Sequence, residues 1–105
     1  MPKLHKNCSG FLGKRAWDAV ELGKVDGTTV RVHWTDEPYK WHTNDGAEVF
    51  LVLSGSVDMK YIKCNEEHSE ILGPGDAMFF DVGDRHVAHP LKPSTILVVE
   101  REGSI

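Results

Sequence analysis

The sequence has little of what marks most protein classes. Only two cysteines occur in 105 residues, Cys8 and Cys64, far apart and outside any Cys-x-x-Cys pattern. Neither a disulfide framework nor a thiolate zinc site is indicated, and free thiols suit a reducing compartment. No apolar run approaches the ~20 residues that span a bilayer, and the polar residues 1–10 carry no signal-peptide core. A cytoplasmic protein with no membrane partner is therefore expected. A basic stripe is missing too: 12 basic and 16 acidic side chains intermingle, for a net charge of −4. That balance disfavours nucleic acid. No segment shows a convincing helical stripe, and no phosphate loop, Ser-His-Asp ordering or catalytic cysteine setting is visible.

What is present is extended structure punctuated by turns. The length suits one domain, read as an N-terminal arm over residues 1–13 and a single domain over 14–105. Residues 14–22, with Trp17, Val20 and Leu22, are too few for periodicity to separate helix from strand; a strand is expected. Residues 23–28, including Asp26-Gly27, read as a turn, after which residues 29–34 alternate with Val30, Val32 and Trp34 on the apolar side. That pattern turns His33 away from the core, and it leaves His5 and His68 on the surface or at the core edge. Asp36-Glu37-Pro38 interrupts, because proline cannot donate to a ladder. Residues 39–44 resume extended structure.

Residues 49–53 form an unbroken apolar run ended by Gly55 and read as a fully buried strand. Residues 56–63 alternate, 64–70 are charged and loop-like, and Gly73-Pro74-Gly75-Asp76 fits a turn. Short strands follow at 77–80, at 86–88 (stopped near Pro90) and at 95–100. Roughly eight strands spaced about 8–12 residues apart indicate an all-β sandwich or barrel. Runs 49–53 and 96–99, apolar on both faces, leave outer side chains in need of cover, and a homodimer is the simplest cover.

The chemistry gathers just ahead of the run at 49–53. His42, Asn44 and Glu48 are metal-ligating types at the mouth of a core, and a carboxylate beside five apolar residues needs a metal or a cation such as Arg31 or Arg85. On a strand His42 and Asn44 share one face. A two-residue Asp45-Gly46 hairpin would put Glu48 on the other; a three-residue loop, Asp45-Gly46-Ala47, would set Asn44 opposite Glu48 and His42 opposite Phe50. The longer loop is expected. Phe50 and Met59 are then the expected walls of a substrate cavity. His89, of opposite parity to His86, falls outside the site, and Asp81 and Asp84 are accounted for equally by turn chemistry.

These residues resemble the two motifs of the cupin superfamily. His42-Thr43-Asn44, three residues, Glu48, six residues and Gly55 match the first motif, except that Asn44 stands where a second histidine is usual and Asp36 where a glycine is usual. Gly75, five residues, Asp81-Val82-Gly83, two residues and His86 match the second, with Asp81 in place of proline and Pro90 where an asparagine is usual. The resemblance covers most of residues 36–90. It implies a double-stranded β-helix (jelly roll) and a divalent transition metal, Fe, Mn, Ni or Zn, held by His42, Glu48 and His86 with Asn44 in or near the shell. Two imidazoles and one carboxylate suffice for such an ion. A fold shared by isomerases, dioxygenases and storage proteins does not select a reaction. The expectation is a metal-dependent enzyme, of dioxygenase or isomerase type, acting on a small organic molecule; the alternative is a non-enzymatic module that binds or senses a small molecule, with or without metal.

Overall fold

A computed structural model describes residues 1–104. Its strands are β1 (Asp18–Val25), β2 (Thr28–Thr35), β3 (His42–Thr43), β4 (Glu48–Lys63), β5 (Glu66–Leu72), β6 (Ala77–Phe80) and β7 (Arg85–Arg101), preceded by one 3-10 turn at Cys8–Gly10. Among the described residues there is no α-helix, and so none long and apolar enough to cross a membrane.

Every pairing is antiparallel, in the order β1-β2-β7-β4-β5, with β3 added to β7 and β6 to β4. The two long strands organise the whole. β4 and β7 pair almost end to end, with register shifts between Val52 and Val57. At these bulges both strands bend, as an extra residue in a ladder forces. The first half of β4 lies between β6 and the end of β7, and its second half lies between β5 and the start of β7. Side chains from both halves meet in one core, Phe50, Val52, Val57, Met59, Leu72, Phe80, Ala88, Ile96 and Val98. The bent sheet thus folds over one core as a jelly roll of the expected kind.

Local chemistry explains the turns. Asp26 and Gly27 both have positive φ, 49° and 77°, the backbone of a two-residue type I′ hairpin. Cys64 and Asn65 repeat it with φ of 54° and 61°. That second hairpin corrects the loop expected at 64–70, most of which is strand β5. Its charged, largely exposed side chains suit a sheet edge and conceal it from a search for apolar alternation.

Three further expectations are corrected. Gly55 does not end a strand: it takes φ of 93° inside β4, where any side chain would meet Ser94 and the Pro93 carbonyl. Nor does Pro90 stop one, because it sits opposite Val57 at the edge of the bulged stretch, where the ladder is already irregular. Run 49–53 is buried on one face alone: Phe50 and Val52 are enclosed, while Val49 is 36% exposed and Leu51 and Leu53 are half-buried.

The parity of β2 is also opposite to expectation. Arg31 and His33 face the interior cavity. Val32 faces outward into a recess shared with Val20, Leu22 and the arm residues Leu4, His5 and Phe11. The arm is tied down by the His5 ring on the Leu22 carbonyl at 3.0 Å and by Thr95 Oγ1 donating to the Phe11 carbonyl at 3.0 Å.

Candidate metal centre

β3 does not pair with β4 as a hairpin would require; it pairs with β7, His42 opposite His86 and Thr43 opposite Arg85. The expected Asp45-Gly46-Ala47 hairpin is thereby corrected, and the reason is a strap across the barrel end. The Asn44 N–H donates to the Asp84 carbonyl at 2.8 Å, and the Gly83 N–H donates to the Asn44 carbonyl at 2.9 Å. These bonds take up the backbone groups that a hairpin would have used.

The strap brings the two motifs together. The His42 and His86 rings lie 4.3 Å apart between centroids, and one ligating atom each from His42, Glu48 and His86 fall within 4.8 Å of one another. Glu48 and His86 are 6% and 2% exposed, so neither charge nor lone pair is satisfied by water. Their polar contacts are internal instead. His86 Nε2 lies 2.6 Å from Asn44 Oδ1 and 3.2 Å from Glu48 Oε1, and Asn44 Nδ2 donates to Glu48 Oε1 at 3.1 Å. Neither Arg31 nor Arg85, the alternatives to a metal as partners of Glu48, forms an ion pair with it; Arg31 reaches Glu21 instead.

The donor set fits a divalent transition ion. His42 Nδ1 donates to the Lys40 carbonyl at 3.0 Å, which fixes the tautomer and leaves Nε2 bare, as outer hydrogen bonds do for ligating histidines. Phe80 stacks on the His86 ring, 3.8 Å between centroids and 4° between planes, and holds its orientation. His86 Nδ1 is buried with no partner, a cost of about 1–3 kcal/mol.

Beside these donors lies a cavity of ≈ 220 Å³, walled by Trp17, Tyr39, Phe50, Val98, His33, Arg31 and Glu100 among others. That is below the ~300–1,000 Å³ typical of drug-sized ligands. Phe50 stands on the wall as expected. Met59 does not: it is fully enclosed in the core, on the half of β4 that turns away after the bulges. His89 lies opposite Asp58 on the β4–β7 ladder, and His68 stacks on Tyr61; both lie outside the cavity.

Sequence reasoning missed Trp17, Arg31, His33, Tyr39 and Glu100. The signal for Glu100 was available, since Ile96, Val98 and Glu100 share parity and the first two are core. Burial, and then the neighbouring Glu48 charge, push the Glu100 carboxyl up to about 7. Such a group exchanges a proton near neutral pH. His33 is shifted down, mainly by burial, and so stays a neutral imidazole.

Fold and donors together define a cupin-type barrel with a candidate mononuclear metal centre. No protein-family model and no curated protein matches the chain. Solved structures do. A proposed mannose-6-phosphate isomerase of Ralstonia eutropha JMP134 superposes with TM-score 0.75 at 20% identity, over 97% of this chain and 100% of that one. A cupin-2 domain protein of Shewanella frigidimarina NCIMB 400 gives TM-score 0.75 at 16% identity, over 86% and 85%. A hydroquinone 1,2-dioxygenase in complex with Cd2+ and 4-hydroxybenzonitrile gives 0.71 at 16%, over 86% and 67%. The chain is a small domain of cupin fold.

Proposed function

We propose that this protein is a small metal-dependent enzyme, of dioxygenase or isomerase type, that holds one divalent transition ion through His42, Glu48 and His86 and acts on a small organic molecule in the adjoining cavity. One observation carries the proposal: two imidazoles and a carboxylate from distant parts of the chain converge within 4.8 Å at the wall of an interior cavity. When bound, the ion supplies Lewis-acid or oxygen-activating chemistry. The rest belongs to the chain. Phe50, Tyr39, Trp17 and Val98 wall the molecule against water, and Glu100 presents a carboxyl to the same cavity. The solved neighbours include a proposed isomerase and a dioxygenase, which supports the two reaction types that the resemblance implies.

Elemental analysis of purified wild-type protein and His86→Ala tests the proposal. The wild type should carry a stoichiometric transition metal that the variant lacks. A wild type that takes up none, even after incubation with Fe2+, Mn2+, Ni2+ and Zn2+, overturns it.

A second, non-enzymatic reading rests on Asn44, which bridges His86 and Glu48 so that the polar groups satisfy one another without an ion. In that case the metal-free protein should itself bind a small molecule in the cavity. For either reading we propose a cytoplasmic homodimer, supported by the unpaired Cys8 and Cys64 and by an apolar outer face.

A further inference from the structure

We infer that Asn44 sets the ion preference of this centre: its amide oxygen serves as a fourth ligand and biases the site toward oxygen-preferring Mn2+ over Ni2+. The inference rests on the metal-binding reading above and adds to it a role for the residue at which the chain departs from the cupin motif.

The orientation of the amide is decided by its hydrogen bonds. Asn44 Nδ2 has two hydrogens and two acceptors, the Gly46 carbonyl at 3.1 Å and Glu48 Oε1 at 3.1 Å. With both acceptors on one side, the oxygen must face the other way, and Oδ1 lies 2.6 Å from His86 Nε2. The residue cannot drift from this position. Its backbone is tied through both N–H and C=O to the segment carrying Gly83 and Asp84, and it is 7% exposed.

Without an ion, His86 Nε2–H donates to that oxygen. An ion on Nε2 takes the place of the hydrogen, and the buried oxygen then keeps its lone pairs with no donor beside it. Such an acceptor is costly to leave unpaired, and the ion is the electrophile next to it. The ligand set becomes two nitrogens and two oxygens, where a second imidazole in the first motif would make it three nitrogens and one oxygen. Imidazole suits Ni2+, Cu2+ and Zn2+, whereas carboxylate and carbonyl oxygens suit Mn2+. The exchange of one for the other therefore lowers the advantage that late transition ions normally hold.

The test is calorimetric titration of metal-stripped protein with MnCl2 and with NiCl2, for wild type, Asn44→His, Asn44→Ala and Asn44→Asp, with thermal melts to confirm folding. Asn44→His should tighten Ni2+ by about tenfold or more while Mn2+ gains little. Asn44→Ala should weaken Mn2+ more than Ni2+, and Asn44→Asp, which also offers an oxygen ligand, should not shift the ratio of the two affinities toward Ni2+. If wild type binds both ions and the ratio of the two constants is unchanged in the folded variants, Asn44 is a hydrogen-bonding latch only, and this inference falls while the metal reading stands. Should wild type bind neither ion, the metal reading itself fails and takes the inference with it.

Discussion

At the scale of single residues, the cavity wall concentrates the ionisable groups whose behaviour departs most from water. Glu100 carries no ion partner there, and its inward position on β7 puts it in register with Glu48. A carboxyl whose folded pKa is about 7, against 4.5 unexposed to the fold, binds more protons folded than unfolded between those values. By linkage, stability then falls as pH rises from about 4.5 through about 7. Glu100→Gln removes the penalty. In the presence of a chelator, the variant should exceed wild type at pH 8 by about 1–2 kcal/mol, a figure discounted for the solvent that reaches this group, and should match it near pH 4. Denaturant titrations at the two pH values check this, and a gain of equal size at both would refute the assignment. His33 acts in the opposite direction: its lowered pKa means that stability is present above about 6.5 and is lost as pH falls and the buried ring must charge.

At the scale of elements, the bend in β4 decides where the donors point. Gly55 allows it, with φ of 93° and the Pro93–Ser94 backbone packed against its Cα. Gly55→Ala therefore combines left-handed strain with a steric clash, and a loss of at least about 1–3 kcal/mol is expected. Gly23, which has open space around its Cα and no positive φ, is the control, and its replacement by Ala should change stability by less than ~0.5 kcal/mol. Equal losses at the two positions in chemical denaturation would show that the bend does not depend on Gly55. The same bend explains an error of reading. Phe50 and Met59 both look inward along one apolar strand, yet the halves of β4 serve different walls, so Phe50 lines the cavity and Met59 fills the core.

At the scale of the molecule, the outer face of the barrel is unusually apolar. Cross-strand register builds two rows without one charged side chain, Val20–Val32–Leu97–Leu51–Ala77 across five strands and Val30–Val99–Val49–Phe79 across four. The arm covers the β1–β2 end of these rows. At the other end Phe79 is 62% exposed. Exposed contiguous apolar surface of this kind marks interaction sites, and the homodimer proposed above would cover it. Sedimentation should show a dimer for wild type and a monomer for Phe79→Glu, with unfolding of the variant otherwise normal. A wild type that sediments as a monomer removes the proposal.

Much was legible without coordinates, and for a local reason. Turn chemistry at Asp26-Gly27 and alternation within strands are properties of short segments and gave the β class, while the choice of a jelly-roll barrel and the grouping of His42, Glu48 and His86 came from the resemblance of two short motifs to those of cupins. Tertiary structure decided what depends on distant partners. Alternation has a period but no sign: β2 is apolar on Val30, Val32 and Trp34, and only closure of the barrel turns Arg31 and His33 inward. Pairing of β3 with β7 rather than β4 depends on backbone bonds from Asn44 to residues 83 and 84, about forty positions away. Those long-range bonds, invisible to any local pattern, carry His42 to His86, just as the β4–β7 register, equally long-range, sets Glu100 beside Glu48.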